Sequence, residues 1–399
     1  MSEVEFELRK LGDLIEIYNN KRAPLSAKQR EGLEKIYPYY GAQGIVDYVD
    51  DYIFDGKYIL IAEDGENLKS NNKSICTLAT GKYWVNNHAH IIEGNDETNT
   101  DFLYYKLNSI SFAPYITGSA QPKLNKENLL NIELYIPSRE HQDKIAKVLT
   151  LLDQKIQINN QINQELEAMA KTLYDYWFVQ FDFPDQNGKP YKSSGGKMDY
   201  NPELKREIPE GWGVEKLSSL LEIGRETINP MKTPKEEFKY YSIPEYDVSG
   251  SFSYELGETI RSNKFIVEKS DLLVSKLNPW FNRVVYNLEE NAISSTEFIV
   301  WKTFNRFEKN FLYQVATSKE FIEYCTRFAT GTSNSHKRVS PDIMVGFQIP
   351  FKKTYIQKFG EITDSIRTQV LQNNVQNQEL TQLRDWLLPM LMNGQVKVE

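Results

Sequence analysis

Two short motifs contain the residue types of known catalytic sites. Residues 48–51 (Tyr-Val-Asp-Asp) are spelled like the metal-binding turn of polymerases, and residues 278–281 (Asn-Pro-Trp-Phe) approach the Asn-Pro-Pro-aromatic signature with which amino-methyltransferases grip an exocyclic amine. Both motifs lack their companions: the first has no third carboxylate strand, and the second has neither its second proline nor a glycine-rich turn for S-adenosylmethionine. The sequence therefore predicts a solvated acidic turn at 48–51 and no methyltransferase activity in this chain.

Three further residues have side chains suited to metal binding or phosphodiester cleavage. His88 and His90 are two apart on a predicted strand and could point to one face, but no carboxylate or third histidine has ligand spacing. Asp185 follows Pro184, but a nuclease would also need a Glu-x-Lys on a neighbouring strand, and we identify none. We predict that the chain is not an enzyme, has no catalytic or metal-binding residues and uses no cofactor of its own.

Two glycine-led loops instead carry side chains that match base edges. Loop 1 spans residues 118–123 (Gly-Ser-Ala-Gln-Pro-Lys), and loop 2 spans residues 331–338 (Gly-Thr-Ser-Asn-Ser-His-Lys-Arg). Gln, Asn, Lys and Arg match adenine and guanine edges in the major groove, while Ser and Thr suit phosphates. We interpret both as DNA-recognition loops, the alternative being ordinary polar surface loops. The residues predicted to contact DNA are Ser119, Gln121, Lys123, Ser335, His336, Lys337 and Arg338.

The elements that must position these loops form an internal repeat. The interval along the chain from Gly118 to Gly331 equals the interval from Pro137 to Pro350, and a constant offset indicates a duplicated unit. Each copy is predicted to be an α/β or α+β domain with short strands and long connections. A turn is predicted at 55–57, strands at 58–62, 90–92, 271–275 and 298–301, and helices at 102–108 and 311–328.

Each copy ends in an Ile-Pro step followed by a long amphipathic run, from residue 138 to about 178 and from about 354 to 392. Steps of four and three residues give each run a heptad seam with a polar middle. The first seam is Ile145, Leu149, Leu152, Ile156, Asn159, Asn163, Leu166, Ala170, Leu173 and Trp177. The second is Phe359, Thr363, Ile366, Val370, Asn373, Asn377, Leu380, Arg384, Leu387 and Leu391.

Two asparagines occupy the same heptad positions in both seams, so that Asn159 corresponds to Asn373 and Asn163 to Asn377 at one common offset. Because each pair lies near the middle of its run, antiparallel packing would bring the four amides together and penalise other registers. In the alternative, the seam shifts locally to Ile158 and Ile162, and the asparagines face water.

The composition of this 399-residue chain, with 40% hydrophobic and 26% charged residues, is that of a soluble globular protein with two ordinary domains. It has no apolar run of about 18 residues and no secretory signal, so we expect a cytoplasmic protein without membrane contact. Cys76 and Cys325 are interpreted as core thiols. The net charge of −8 argues against a free-standing nucleic-acid binder, unless partner subunits supply most of the cationic surface.

Together with the repeat and loop 1, four segments make the chain resemble the specificity subunits of type I restriction–modification systems. Residues 136–142 (Ile-Pro-Ser-Arg-Glu-His-Gln) begin the first long helix in the family's manner, and residues 39–45, 86–90 and 387–394 also look like family segments. The resemblance covers the whole chain. It departs at residues 350–357, where the second helix lacks the Ser-x-Glu-x-Gln form found at the start of the first.

The resemblance implies two similar target recognition domains, residues 1–137 and 208–350, separated by two long antiparallel coiled-coil helices in a pseudo-two-fold repeat. These conserved spacer helices would be residues 138–181 and 351–399 with the C-terminal tail, and residues 182–207 would be a linker. A helix of about 40 residues is roughly 60 Å long, so the pair would act as a ruler between the domains.

The resemblance also implies a non-catalytic subunit whose domains each bind one half of a split double-stranded DNA site. Two methylation subunits would bind S-adenosylmethionine and methylate adenine, and restriction subunits would cleave DNA using ATP and Mg²⁺. The alternatives are a coiled-coil adaptor whose two heads bind proteins and a metal-dependent nuclease. Further DNA contacts are expected at Gln43, Asn87, His88, Lys276 and Asn278.

Overall fold

The computed structural model describes residues 5–42, 44–64, 68, 75–118, 122–331 and 336–398. The chain forms two compact units: unit 1 comprises Met1–Asn159 with Val375–Glu399, and unit 2 comprises Asn160–Asn374. Both boundaries fall within long helices, so each unit contains one half of each helix. Within the described ranges, no helix is long and apolar enough to cross a membrane.

Unit 1 is an α/β unit built on one large sheet. Its strands are β1 (Phe6–Lys10), β2 (Ile15–Ile17), β3 (Tyr37–Gly41), β4 (Gly44–Val49), β5 (Phe54–Ala62), β6 (Cys76–Val85), β7 (Ala89–Gly94) and β8 (Glu133–Pro137). The sheet has the order β2-β7-β5-β6-β3-β4, with β3 and β6 parallel, and β1 pairs separately with β8. The helices are α1 (Ala27–Arg30), α2 (Thr100–Asn108), α3 (Lys126–Leu130), the first half of α4 (Arg139–Tyr174) and the second half of the long C-terminal helix Lys353–Met392.

The central strand β5 is longer than predicted, because the turn expected at 55–57 lies inside it. Gly56 has a φ of +150°, and a Cβ there would lie 3.0 Å from the Tyr58 ring, so glycine suits the position. Ile59 packs in a core that also contains α2, and Leu60 packs in a second apolar cluster. Successive side chains of a strand point to opposite faces, so β5 is covered on both faces, as its continuous apolar run indicates.

Unit 2 contains two larger sheets. Its strands are β9 (Met198–Asn201), β10 (Arg206–Pro209), β11 (Gly213–Lys216), β12 (Leu221–Gly224), β13 (Thr227–Ile228), β14 (Glu237–Tyr241), β15 (Ser253–Leu256), β16 (Lys264–Val267), β17 (Leu272–Ser275), β18 (Val284–Tyr286), β19 (Ala292–Ser294), β20 (Phe298–Thr303) and β21 (Gln348–Phe351). The sheet orders are β12-β20-β17-β18 and β13-β16-β19-β14-β15, and β9 pairs with β10 and β11 with β21. The helices are the second half of α4, α5 (Ile243–Ser249), α6 (Arg306–Thr317), α7 (Lys319–Phe328), α8 (Pro341–Val345) and the first half of α9 (Lys353–Met392).

The single helix predicted at 311–328 is wrong, since the structure has α6 and α7 there. Ser318 between them has an extended backbone (φ −70°, ψ 149°), and its hydroxyl oxygen accepts a hydrogen bond from the Phe321 N–H at 3.3 Å. Serine in this role caps a new helix better than it continues the previous one. Apolar residues continue on both sides of the break, which is why the pattern did not reveal it.

Residues 182–207, predicted as a linker, contain β9 and the start of β10, with which β9 pairs, and they pack into the apolar core of unit 2. Phe183 is buried and stacks on Tyr191 and Trp212, with ring centroids 4.8 and 5.0 Å away. The Asp182 carboxylate accepts hydrogen bonds from the backbone N–H and the hydroxyl of Ser193 at 2.7 and 2.6 Å. The turn-forming residues predicted the loops of this segment but not the aromatic cluster that holds it.

The two units repeat one order of elements at their ends. In unit 1, β1 pairs with β8, which leads into α4, and in unit 2, β11 pairs with β21, which leads into α9. The interval from Arg139, which begins α4, to Lys353, which begins α9, equals the offset between the corresponding seam asparagines. In unit 1 the buried Gln142 side chain accepts a hydrogen bond from the Asn99 N–H at 2.9 Å, whereas buried Ile356 is the equivalent residue in unit 2. The second helix therefore starts at the matching place without the Ser-x-Glu-x-Gln form.

Within each unit the two helix halves pack antiparallel along the predicted seam, and every seam residue is buried or half-buried. In unit 1 the Asn159 amide donates hydrogen bonds to Gln376 at 2.8 Å and Asn377 at 2.9 Å. In unit 2 the Asn373 amide donates to the Asn163 carbonyl oxygen at 2.8 Å. The structure thus brings each seam asparagine of α4 to one of α9. The side chains of the alternative seam, Ile158 and Ile162, are 48% and 41% exposed.

Candidate nucleic-acid interface

Loop 1 is closed at its base by paired backbone hydrogen bonds. The Lys123 N–H donates to the Thr117 carbonyl at 2.8 Å, and the Thr117 N–H donates to the Lys123 carbonyl at 3.0 Å. A bridge between Lys123 and Asp64 places this base beside the chain that leaves β5. The central strand of the unit 1 sheet therefore positions loop 1.

Loop 2 is closed in the same way in unit 2. The Arg338 N–H donates to the Thr330 carbonyl at 2.8 Å, and the Thr330 N–H donates to the Arg338 carbonyl at 2.9 Å. A bridge between Arg338 and Leu277 places this base beside the chain that leaves β17. Leu277 corresponds to Asp64 at the same offset that relates the first glycines of the two loops, and loop 2 is two residues longer than loop 1. The two units thus share one loop frame that holds different side chains.

The half-buried carboxylate of Glu63 contacts the base of loop 1. Glu63 accepts one hydrogen bond from Arg22 at 2.8 Å, and the Lys123 ammonium lies 3.2 Å from its other carboxylate oxygen. Burial raises the pKa of the Glu63 carboxyl, but the hydrogen bonds from Arg22 and Lys123 outweigh it and hold that pKa below its usual value. Lys123, predicted to contact DNA, is thus tied to the base of its own loop.

His88 and His90 do not face one site. His88 is exposed, and its ring nitrogen lies 2.8 Å from an Asp64 carboxylate oxygen. His90 is buried: one ring nitrogen faces the Asn19 amide at 2.8 Å and the other faces the Leu124 carbonyl at 2.7 Å. Because an amide N–H donates and a carbonyl accepts, His90 is a neutral imidazole that donates to Leu124, and burial lowers its pKa further. Among the described residues, no group of three or more His, Cys, Asp or Glu side chains is placed to hold a metal ion.

The basic side chains around loop 2 are of two kinds. Arg338 binds the Glu297 carboxylate through two nitrogens, at 2.9 and 3.0 Å, so this guanidinium is already occupied. Neither the Lys276 nor the Lys337 ammonium makes an ion pair within the part of the chain that the structure describes. These two ammonium groups are therefore available to an anion such as a phosphate.

Asn278, predicted to contact DNA, has a mainly structural position. It is 8% exposed, and its side-chain oxygen accepts a hydrogen bond from the Lys337 N–H at 2.9 Å. Its own N–H donates to the Lys337 carbonyl at 2.7 Å. Asn278 thus shapes loop 2 instead of presenting its amide to a ligand.

The other predicted contacts are distributed over the surface of each unit. Asn87 is exposed, and its carbonyl accepts a hydrogen bond from Arg22 at 3.3 Å, while His336 is exposed at the end of loop 2. Four predicted contacts lie outside the described residues: Gln43, Ser119, Gln121 and Ser335.

Several residues of this interface were missed from the sequence. Glu63 follows the central strand of its unit and corresponds, at the offset of the repeat, to Lys276, which was predicted, so the repeat could have identified Glu63 as a loop neighbour. Nothing in the sequence marks Glu297, which is distant in the chain from the loop that it braces. Trp280 and Phe281, both exposed, were considered only as part of a methyltransferase-like motif.

Comparison with known proteins shows similarity to one group of proteins. Residues 3–168 match the family model of the type I restriction modification DNA specificity domain. S.HindORF215P, a putative type I restriction enzyme specificity subunit of Haemophilus influenzae, is 39% identical over 148 residues, which are 37% of this chain and 37% of that protein. The specificity subunit of the type I restriction enzyme MjaIX of Methanocaldococcus jannaschii is 27% identical, in an alignment that covers 75% of this chain and 70% of that protein. The HindI specificity subunit of Haemophilus influenzae is 23% identical and covers 86% and 84%.

A solved structure shows the same fold over nearly the whole chain. The type I restriction–modification system S subunit from M. genitalium has a TM-score of 0.60 with 15% sequence identity, covering 98% of this chain and 97% of that one. The fold therefore extends through both units, beyond the part that the family model matches.

Proposed function

We propose that the chain is a type I restriction–modification specificity subunit that recognises a split double-stranded DNA target for a methylation complex. The family is non-catalytic, and the chemistry lies in partner subunits. In this proposal unit 1 recognises one half of the target and unit 2 the other.

One observation carries the proposal: the same loop frame occurs in both units with different side chains. Each loop is closed by a residue that bridges to the chain leaving the central strand, Lys123 in unit 1 and Arg338 in unit 2. A common frame presents each loop in the same way, while different side chains at base edges select different sequences. Two half-sites of different sequence therefore suit this chain better than two copies of one half-site.

The net charge of −8 supports a role for partner subunits. Phosphate neutralisation supplies most of the affinity of DNA-binding proteins, and this chain alone has a negative balance. Exposed apolar side chains on α4 support protein partners: Leu151 and Ile158, seven residues apart, in unit 1, and Ile162 and Met169, seven apart, in unit 2. Residues seven apart lie on one side of a helix, so each half of α4 presents an apolar strip away from its seam.

The repeat further supports two methylation subunits, one for each half of the chain, together with restriction subunits. We place S-adenosylmethionine in the methylation subunits, and ATP with Mg²⁺ in the restriction subunits. In this arrangement the present chain contributes recognition of DNA and alignment of its partners.

The test is to express the chain with its methylation subunit in a host free of adenine methylation and to map modified adenines by single-molecule sequencing. We expect one motif with two specific halves around a spacer of fixed length. No motif from a complex that assembles would overturn the proposal, and capture of other proteins by the two heads would then favour the adaptor.

A domain exchange tests which unit recognises which half. Replacing residues 208–350 with the equivalent segment of a relative should change one half of the methylated motif and leave the other intact. The matched control replaces residues 1–137 and should change the opposite half. A change in both halves after either exchange would contradict separate recognition.

A further inference from the structure

A surface turn in unit 2, residues 278–282, presents two neighbouring aromatic side chains and is called the aromatic turn below. Trp280 is 38% exposed and Phe281 is 58% exposed, and their ring centroids lie 6.0 Å apart. Single exposed aromatic residues are common on protein surfaces, so exposure alone assigns them no role. The backbone conformation of this turn, the contacts that hold it and the charges beside it indicate a role in binding.

The backbone of the aromatic turn is strained on both sides. Asn278 (φ 48°, ψ 66°) and Asn282 (φ 49°, ψ 55°) both have left-handed conformations and flank the short helical turn Pro279–Phe281. Asparagine tolerates this conformation better than most residues, but two such residues within five concentrate strain. Strain of this kind persists only where the surroundings hold the backbone firmly, and it is concentrated at binding sites.

Three anchors hold the turn. Asn278 makes two hydrogen bonds with the backbone of Lys337 in loop 2, at 2.7 and 2.9 Å. Pro279 is buried beside the start of α7. Arg283 binds the Asp247 carboxylate through two nitrogens at 2.5 and 2.8 Å, and its guanidinium lies 4.6 Å from the centre of the Phe281 ring. The aromatic side chains therefore project from a rigid base that is continuous with loop 2.

The charges beside the turn favour an anionic ligand. Arg283 and Arg338 are paired with Asp247 and Glu297, whereas Lys276 and Lys337 make no ion pair within the described ranges of the chain. These six side chains leave a balance of two positive charges in a chain whose net charge is −8. A pair of aromatic side chains next to two available ammonium groups matches a ligand with both bases and phosphates.

We propose that the aromatic turn contacts the second half-site directly, with Trp280 stacking at an opened base step and Lys276 and Lys337 on the flanking phosphates. The proposal rests on the proposed function and adds an apolar contact to the polar recognition by loop 2. Aromatic wedges at base steps unstack and bend DNA, and a rigid wedge loses little conformational freedom on binding. The occupant is the DNA duplex, and a protein occupant is an outcome of the test.

The test uses the full chain assembled with its methylation subunits on a duplex that carries its mapped motif. Because Trp280→Ala removes the stacking of an aromatic ring on a base, it should weaken binding to the duplex about 5- to 150-fold. Trp280→Phe keeps an aromatic ring and should retain most of the affinity. Tyr254→Ala removes another aromatic side chain of unit 2, 60% exposed, and should bind as the unaltered complex does. Fluorescence energy transfer between the duplex ends should also show less bending with Trp280→Ala.

The salt dependence of binding separates the two kinds of contact. Trp280→Ala should leave the slope of log affinity against log salt unchanged, and Lys337→Ala should reduce it by about one. Thermal melting of each variant, with Phe281→Ala as a second aromatic variant, shows whether unit 2 remains folded.

Each outcome decides one proposal. If the unaltered complex binds its motif, and folded Trp280→Ala and Phe281→Ala bind it equally tightly with equal bending, the aromatic turn does not contact DNA. If these variants instead lose a methylation subunit on gel filtration, the turn binds protein and the proposal is overturned. If the unaltered complex recognises no motif, it is the proposed function that fails.

Discussion

Arg367 provides a quantitative test of how the helix halves of unit 2 are held together. Its side chain is 7% exposed and binds Glu167 on α4 through two nitrogens, at 2.7 and 3.2 Å. The guanidinium also lies 3.9 Å from the centre of the Tyr313 ring on α6. One side chain of α9 thus joins α4 and α6 within this unit, and Arg367→Ala removes both contacts.

The expected loss follows from the burial of Arg367 and is reduced by the partial exposure of its partner. Removing one member of a buried ion pair costs about 3–5 kcal/mol, because the other charge stays buried without a partner. The Glu167 side chain is 34% exposed, so water can solvate part of it, and we take the lower value of about 3 kcal/mol. The lost contact with the Tyr313 ring adds about 1 kcal/mol. We expect Arg367→Ala to lower the free energy of unfolding of unit 2 by about 4 kcal/mol.

Urea unfolding followed by tryptophan fluorescence measures this loss, since unit 2 contains four of the six tryptophans. Hydrogen exchange in α6 and α9 confirms where the loss occurs. The matched control is Arg384→Ala in unit 1. The Arg384 side chain is 29% exposed, and its partner Asp153 would keep a hydrogen bond from Tyr105 after the substitution. Arg384→Ala should cost about 1 kcal/mol. Equal costs for the two variants would refute the argument from burial.

Three other predictions concern the seam, a buried lysine and a loop brace. Changing Asn159, Asn163, Asn373 and Asn377 together to Leu should stabilise the helix halves by about 1–2 kcal/mol per pair while loosening their register; a lower melting temperature would contradict it. Burial lowers the pKa of Lys309 to about 7, so the unfolded chain binds more protons above that pH and stability should rise from pH 7 to about 10.4. Lys309→Met should remove this rise, and an unchanged pH profile would exclude Lys309 as its cause. Glu297→Gln should release Arg338 to make one added phosphate contact, which should tighten binding of the assembled complex to unrelated DNA about tenfold. Equal binding would show that Glu297 does not restrain Arg338.

The long helices and their seam were predictable because their signal is local. A heptad pattern needs only neighbouring turns of one helix, and the polar middle marked Asn159 and Asn373 at buried positions. The contact between Arg367 and Tyr313 was not predictable in the same way, because it joins helices distant in the chain. The break at Ser318 was missed for a different reason: one capping hydroxyl outweighed a continuous apolar pattern.

The repeat located the candidate interface but did not reveal which of its side chains are available to a ligand. The constant offset placed loops 1 and 2 at equivalent positions, and the structure gives both the same closing bridges. Which side chains are available was not predictable, because Arg338 is occupied by Glu297 and Asn278 by the backbone of Lys337. Residue type indicates what a side chain can bind, whereas only the folded surroundings determine whether it is already bound.

The negative net charge and the braced loops have one physical explanation. In each unit a carboxylate binds the basic residue that closes the candidate loop: Glu63 binds Lys123 of loop 1, and Glu297 binds Arg338 of loop 2. A carboxylate near DNA lowers affinity for phosphates, but it also fixes the geometry in which the loop is presented. Under the proposed function the loss of affinity is tolerable, because partner subunits would supply the attraction to the DNA backbone and a strongly basic loop would bind every sequence alike. Under the proposed function, selectivity would therefore depend on Glu63 and Glu297, the same acidic residues that would weaken DNA binding by the isolated subunit.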